Sequence, residues 1–213
     1  RMGLCNVHFA AKRVSPTAEL SWKPVLEIPD ELLSQSDRKY IELGCAPSKN
    51  GYTKDTVLEG ITGRELPIRF AGFHIHFGIN NLPPSIARHI VRQIDRVAGV
   101  FMVAVLDGMD NPIRRRYYGR AGEYRLPSHG LEYRTFSSAA MAHPIITHIA
   151  LDFARMAAMY AVGGLTLIEE SNSVVRECIN NCDVDLARKL IFDKHKTFFN
   201  TAMQKLYSSH YNV

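Results

Sequence analysis

Two short stretches that alternate charged with apolar or aromatic residues constrain the fold of this chain most. They are Glu-Tyr-Arg-Leu at 123–126 and Leu-Glu-Tyr-Arg at 131–134, and a Pro-Ser-His-Gly segment joins them. Alternation with a period of two around such turn residues is typical of a β-hairpin. Because residues two apart share one face of a strand, Glu123 should lie beside Arg125, and Glu132 beside Arg134.

The hairpin belongs to the most arginine-rich part of the chain. Six arginines fall within 21 residues: Arg114, Arg115, Arg116, Arg120, Arg125 and Arg134. Guanidinium groups stay charged and bind phosphate or carboxylate oxygens bidentately, so their density indicates that a polyanion is held here. A carboxylate among them, such as Glu132, is able to ligate a cation that bridges phosphates. The alternative is a basic surface hairpin with ion pairs within each strand.

A second alternating stretch covers residues 69–78. Its apolar residues Ile75 and Phe77 alternate with His74 and His76, which predicts a strand buried on one side. Two imidazoles on the other face of a strand are able to reach one site, where one would ligate a metal and the other would hydrogen-bond a phosphate. The alternative is two polar side chains on a solvent-facing surface.

We expect the side chains of both stretches to meet on one face of a single antiparallel sheet. The five residues concerned are His74, His76, Arg125, Glu132 and Arg134. Helical periodicity accounts for much of the remainder. Residues 40–43 are expected to form a strand. A long helix begins at Pro83-Pro84. Another runs from Pro144 to Gly163, has an apolar stripe that includes Ile145, Phe153 and Tyr160, and is expected to pack against the sheet. Residues 165–213 form helices broken near 180–183 and 193.

Composition limits the partners and the compartment. The formal charge of +5 and the pI of about 9.1 suit an anionic ligand, but they do not by themselves predict nucleic-acid binding. The four cysteines show no zinc-site spacing, and there is neither a signal peptide nor an apolar run near twenty residues. We therefore expect reduced thiols in an intracellular protein that does not enter a membrane. Because residue 1 is Arg1, the chain is expected to begin partway through a longer protein.

Three motifs in order along the chain resemble those of carboxylate–amine ligases of the glutamine synthetase and glutamate–cysteine ligase superfamily. The motifs are Gly-Phe-His-Ile-His-Phe-Gly at 72–78, Arg-Arg-Tyr-Tyr-Gly-Arg-Ala-Gly-Glu-Tyr-Arg at 115–125 and Gly-Leu-Glu-Tyr-Arg-Thr at 130–135. The closest group is the phage-type amidoligases, called type 2 COOH-NH2 ligases. Gly-Cys-Ala-Pro at 44–47, followed by Asn-Gly-Tyr-Thr at 50–53, resembles a further stretch of that group, and the resemblance covers residues 40–160.

The resemblance implies an α+β fold of the glutamine synthetase type. Such a fold has a curved antiparallel sheet that carries the site on its concave face, with helices on the outside. We therefore expect an antiparallel-sheet catalytic domain over residues 1–162, lacking its N-terminal strands, and a helical C-terminal extension over residues 163–213 that packs on the same domain.

The resemblance also implies an ATP-dependent reaction. ATP phosphorylates a substrate carboxylate, and an amine then displaces phosphate from the acyl phosphate to give an amide or isopeptide bond. His74 and Glu132 would each ligate a magnesium ion, Mg2+, and His76 would contact an ATP phosphate. These roles agree with the residues, because forming an acyl phosphate needs charge neutralisation and positioning more than a strong base.

The arginines receive catalytic and phosphate-binding roles through the same resemblance. Arg134 would hold the transferred phosphoryl group or the substrate carboxylate, and the ATP phosphates would be held by Arg116, Arg120 and Arg125. The carboxylate and amine substrates would be small molecules, peptides or protein tails, and a homo-oligomer is compatible with this assignment. The phage-type group implies a phage-encoded protein that acts in the host cytoplasm.

Two departures from the family pattern bear on activity. The family places acidic metal ligands on strands near its N-terminus, but no Asp-x-Glu or Glu-x-Glu pair precedes the motifs here. In addition, Ala46 and Ser48 stand where many relatives carry aspartates. Two alternatives to an active ligase therefore stay open. One is a catalytically impaired nucleotide-binding or structural relative, and the other is a basic nucleic-acid-binding module, which the alternation of arginine with Glu123 and Glu132 disfavours.

Overall fold

The computed structural model describes residues 2–35, 48–53, 56–57 and 67–211, and the fold of these residues is α+β. The segment 40–47, which was expected to contain a strand and part of the family motif with Ala46, lies outside the described residues. The division into domains at residue 162 stays a prediction. Helices from beyond that residue do pack against a helix from before it.

The described strands form two antiparallel sheets. In chain order they are β1 (Val25–Glu27), β2 (Ser48–Asn50), β3 (Thr56–Val57), β4 (Ile68–Phe70), β5 (Ile75–Gly78), β6 (Glu123–Arg125) and β7 (Gly130–Tyr133). β1 pairs with β4, and the other strands form a sheet in the order β3-β2-β6-β7-β5. The predicted hairpin is confirmed, because β6 pairs with β7 and places Arg125 opposite Glu132.

Helices make up most of the remaining described structure. They are α1 (Met2–Val14), α2 (Asp30–Gln35), α3 (Pro84–Ile94), α4 (Val100–Val105), α5 (Pro112–Tyr117), α6 (Pro144–Val162), α7 (Asn172–Asn180), α8 (Val184–Lys189) and α9 (Lys196–Tyr211). Proline begins α3, α5 and α6, where its missing N–H group costs no helical hydrogen bond. A π-helical turn, Asp95–Gly99, joins α3 to α4, so the long helix predicted from Pro83 is confirmed with a local widening.

The core lies between the five-stranded sheet and α3. Ile75, Leu131 and Tyr133 alternate with polar residues along β5 and β7, and they form one buried cluster with Ile90 and Ile94 of α3. Each fully buried aliphatic side chain of this size stabilises the fold by about 1.5–3 kcal/mol. The polar residues of the same strands consequently share the opposite face of the sheet.

Helix α6 packs against α3, not against the sheet as the sequence suggested. Ile145 and Tyr160, expected in its buried stripe, are 51% and 45% exposed, whereas Phe153 is buried as predicted. The buried face consists mainly of small residues, Ala150, Ala154, Ala157 and Ala161. Alanines allow two helix axes to approach closely, so the small face and not the bulky one is turned inward.

By length and composition alone, α6 is long and apolar enough to cross a membrane. The expectation that the sequence has no apolar stretch near twenty residues is corrected by this helix. A core helix of a globular protein has the same properties. The alanine face of α6 is buried inside this protein. His148 and Arg155 form ion pairs with Asp152 elsewhere on the same helix.

The single strand expected over residues 69–78 is in fact two strands that belong to different sheets. β4 pairs with β1, whereas β5 pairs with β7. Between them, the Ala71 carbonyl accepts a hydrogen bond from Arg114, and Gly72 bridges to Ser137. A Cβ atom on Gly72 would lie 2.8 Å from the Tyr118 ring, so glycine here permits close packing of the chain on a side chain.

Arg114 is fully buried and holds the backbone together. Its guanidinium group donates to the carbonyl oxygens of Ala71, Thr135 and Phe136. Burial, followed by the neighbouring charge of Arg115, lowers the pKa of Arg114 to about 10. For Arg114 the prediction of anion binding from the arginine cluster is therefore wrong, because its donors serve the protein itself.

Replacing Arg114 with lysine should lower the free energy of unfolding by about 2–3 kcal/mol. An ammonium group lacks the planar fork that serves these carbonyls, and each buried polar group left without a partner costs about 1–3 kcal/mol. The matched change Arg116→Lys, at an exposed position of the same helix, should alter stability by less than about 0.5 kcal/mol. Urea unfolding followed by circular dichroism measures both, and equal effects would contradict the structural role of Arg114.

Candidate functional site

The polar face of the five-stranded sheet carries a row of three charged or titratable residues. β7 lies between β6 and β5, and its Glu132 is opposite Arg125 on one side and His76 on the other. Arg134 directly follows β7, two residues after Glu132, so its side chain shares this face. His74, immediately before β5, completes the set that the sequence predicted to converge.

Glu132 is the centre of these contacts. Its carboxylate accepts a hydrogen bond from Arg134, lies 2.9 Å from Nδ1 of His74, and lies 4.0 Å from Nη1 of Arg125. Burial acts to raise the pKa of Glu132, but the combined effects of Arg134, His74 and Arg125 outweigh burial and the pKa is lowered. Glu132 is therefore an ionised carboxylate between two guanidinium groups. We call Glu132, Arg134, Arg125 and His74 the Glu132 cluster.

Tyr118 fixes the other side of the cluster. Its hydroxyl oxygen accepts a hydrogen bond from Nη2 of Arg134 at 2.9 Å and lies within hydrogen-bond distance of Nε2 of His74. Burial, and then the charge of Arg134, lower the pKa of His74 to about 4, although Glu132 acts in the opposite direction. A neutral His74 with its proton on Nδ1 donates to Glu132 and accepts from Tyr118, so both ring nitrogens are satisfied.

His76 lies at the exposed rim of this face. Although its backbone is opposite Glu132, its Nδ1 atom lies 2.9 Å from Nε2 of His129 in the hairpin turn. The structure thus brings His76 to the same face as His74 but gives it a different partner. Its predicted contact with an ATP phosphate stays a prediction.

Glu123 differs from its expected position. Instead of a surface pair with Arg125, its carboxylate is fully buried and accepts a hydrogen bond from the backbone N–H of Gly119 at 2.8 Å. Burial raises the pKa of Glu123, while the Gly119 hydrogen bond acts to lower it. The alternation of the strand correctly gave the face, but the tight turn at Gly119 determines which donor the carboxylate meets.

Arg116 and Arg120 are not brought to the Glu132 cluster. They line a cavity of about 400 Å3 whose wall also contains Arg176 from α7, and none of the side chains of the cluster. The sequence grouped these two arginines with Arg125 around one set of phosphates. The structure separates the arginines of the motif into two locations. The sequence gave no reason to group Arg176 with them, because it lies far from the motif along the chain.

The Glu132 cluster fits an anion better than a magnesium ion. Magnesium prefers several oxygen ligands, whereas the cluster offers one carboxylate that two arginines and His74 already share. Among the described residues, no group of three histidine, cysteine, aspartate or glutamate side chains is placed to hold a metal ion. By contrast, two guanidinium groups face this carboxylate, and guanidinium groups bind phosphate or carboxylate oxygens. The magnesium role of His74 and Glu132 stays a prediction.

Asp95 lies behind the site, on the opposite face of the sheet, and the sequence gave no sign of its role. This fully buried residue begins the π-helical turn and accepts a hydrogen bond of 2.6 Å from the hydroxyl of Tyr133, the residue between Glu132 and Arg134. Burial raises the pKa of Asp95 to about 6, against the opposing effect of the Tyr133 hydrogen bond. Its charge state therefore bears on the strand that carries the cluster.

The Asp95 carboxyl should make stability depend on pH in a defined direction. In the folded protein the Asp95 carboxyl keeps its proton up to about pH 6, whereas in the unfolded chain it loses the proton at about pH 3.9. The stabilisation that comes from the tighter proton binding of the folded state is therefore present below about pH 4 and is lost as the pH rises through 6. Relative to the parent, the free energy of unfolding of Asp95→Asn should therefore increase by about 3 kcal/mol between about pH 4 and 7. Urea unfolding at stepped pH measures this, and a constant difference would contradict the assignment.

Comparison with known protein families gives a match over most of the chain. The model of a family described as phage phiEco32-like COOH-NH2 ligase-type 2 matches residues 6–201 of the 213. The match includes the Glu132 cluster, the cavity with Arg176, helices α7 and α8 and the beginning of α9. No curated protein and no solved structure matches the chain significantly.

Proposed function

The chain belongs to the phage phiEco32-like COOH-NH2 ligases of type 2, a family of carboxylate–amine ligases, and we propose that it uses ATP to join its substrates through an acyl phosphate. The observation that supports this proposal most is the convergence of Arg125 and Arg134 around Glu132 on one sheet face. Such a pair of guanidinium groups suits the oxygens of a phosphoryl group. We also propose that the sheet curves around this face as it does in glutamine synthetase, and that the protein acts in a host cytoplasm.

The proposed reaction has two steps. An oxygen of the substrate carboxylate attacks the terminal phosphorus of ATP, and the bond from that phosphorus to ADP breaks. The amine nitrogen then attacks the acyl carbon, the bond from that carbon to phosphate breaks, and the nitrogen loses a proton to solvent. Both steps move negative charge among oxygens, so the protein contributes chiefly by positioning and electrostatic stabilisation.

The two arginines of the cluster are suited to different parts of this task. The Arg134 side chain is 1% exposed and is held by both Glu132 and Tyr118, so its position is fixed before any ligand binds. The Arg125 side chain is 25% exposed and lies at a longer distance from Glu132. We propose that Arg125 contacts the transferred phosphoryl group directly, while Arg134 stabilises the oxygens of the acyl phosphate.

Arg125→Gln should reduce ATP-dependent amide formation by about a hundredfold or more, which is the scale of a lost electrostatic stabiliser in a transition state. Arg155→Gln is the matched control, since its side chain is 66% exposed on α6 and pairs only with Asp152 at 3.6 Å among the described ion pairs. The measurement is kcat/KM on full-length protein with a carboxylate and an amine supplied. Equal activities of the two variants would remove Arg125 from the site.

Isotope transfer tests the acyl phosphate itself. With a substrate carboxylate labelled with 18O, the released phosphate should carry one 18O atom per amide formed, and ADP should be the nucleotide product. Release of AMP and pyrophosphate would show activation by adenylylation and contradict the proposal. Absence of nucleotide cleavage, together with intact ATP binding, would favour a catalytically impaired relative, the alternative for which the single carboxylate of the cluster argues.

A further inference from the structure

The cavity that contains Arg116 and Arg120 lies at the end of the sheet, away from the Glu132 cluster. It opens where the segment after β2, helix α5 and the last turn of α7 meet, and has a volume of about 400 Å3. Its wall includes Arg116, Arg120, Arg176 and the amide side chain of Asn181. A cavity of this size lies within the range of about 300–1,000 Å3 that is typical of small-molecule sites.

Among the described residues, the wall of this cavity contains arginines and no carboxylate. Arg115 also lines it but pairs with Asp110, whereas Arg116, Arg120 and Arg176 take part in none of the ion pairs between described residues. Another cavity, of about 650 Å3 on the outside of α3, differs because its wall includes Glu169 and Glu170 beside its basic residues. Positive charges around a small space repel each other, and an anion bound between them offsets that repulsion.

Contacts within the protein hold two arginine side chains of this cavity, Arg120 and Arg176, in place. Arg120 donates from Nε to the Arg115 carbonyl at 3.0 Å and from Nη2 to the Arg116 carbonyl. The guanidinium carbon of Arg176 lies 5.8 Å from the centre of the Tyr52 ring. Donors that are positioned before binding lose less conformational entropy when a ligand arrives.

We propose that this cavity binds an oxyanion group of a substrate, a phosphate or a carboxylate, at a second anion site separate from the Glu132 cluster. That the anion belongs to a ligase substrate rests on the proposed function, but the binding of an oxyanion does not. The two sites are connected through Thr135, the residue that follows Arg134. Its hydroxyl donates to the Arg120 carbonyl, and its own carbonyl accepts from Arg115. A substrate with two anionic groups, or the phosphate chain of a nucleotide, suits two such sites.

Binding at this cavity can be measured by NMR without turnover. Inorganic phosphate added to the full-length protein should shift the backbone amide signals of Ala121 and Asn181, which lie in the cavity wall. Arg176→Gln should raise the phosphate concentration at half-maximal shift by about tenfold, the effect of losing one charge-assisted hydrogen bond. Arg155→Gln should leave it unchanged. If these signals do not respond, or respond equally in Arg176→Gln, the second anion site does not exist.

Competition identifies the source of the anion. Displacement of phosphate from these amides by a non-hydrolysable ATP analogue assigns the cavity to nucleotide phosphates, and displacement by glutarate assigns it to a substrate carboxylate. Either result supports the proposal, whereas displacement by neither contradicts a role in substrate binding. Because these signals need no catalysis, failed isotope transfer with intact binding here contradicts only the proposed function. The reverse result contradicts only the second anion site.

Discussion

The buried ion pair of Glu132 and Arg134 is the interaction on which the candidate site depends. Two charges removed from water need further partners, because desolvation of an isolated pair can exceed its Coulombic attraction. Here Glu132 also meets His74 and Arg125, and Arg134 donates to Tyr118. These partners are His74 before β5, Tyr118 directly after α5 and Arg125 in β6, so the contacts of one ion pair hold three separate segments of the chain against β7.

The two faces of the sheet have different physical characters but share one strand. On β7, Glu132 points toward the polar face, while Leu131 and Tyr133 enter the core against α3. The Tyr133 hydroxyl donates a hydrogen bond to Asp95 in the π-helical turn. Tyr133 therefore links a titratable group in the helical layer to the strand that carries the Glu132 cluster. The wider helical turn begins at Asp95, the residue that accepts this hydrogen bond.

Local alternation in the sequence was sufficient to predict the hairpin, its faces and the meeting of His74 with Glu132, because a period of two fixes which side chains share a face. It was not sufficient to separate structural from exposed arginines. Arg114 and Arg116 have the same local context in α5, yet one holds three backbone carbonyls and the other lines a cavity. That difference depends on contacts more than twenty residues away along the chain, as does the contribution of Arg176. The buried face of α6 was predicted wrongly for a related reason. This helix packs against α3 through small residues, and its packing partner is not visible in the local sequence.

The proposed function depends on the binding of the phosphoryl group by the Glu132 cluster. A crystal structure of the full-length protein with a non-hydrolysable ATP analogue would locate the terminal phosphate relative to Arg125 and Arg134. We expect the oxygens of this phosphate to lie within hydrogen-bond distance, about 2.7–3.2 Å, of at least one of these guanidinium groups. A nucleotide whose terminal phosphate is bound away from this face of the sheet would contradict the proposed function.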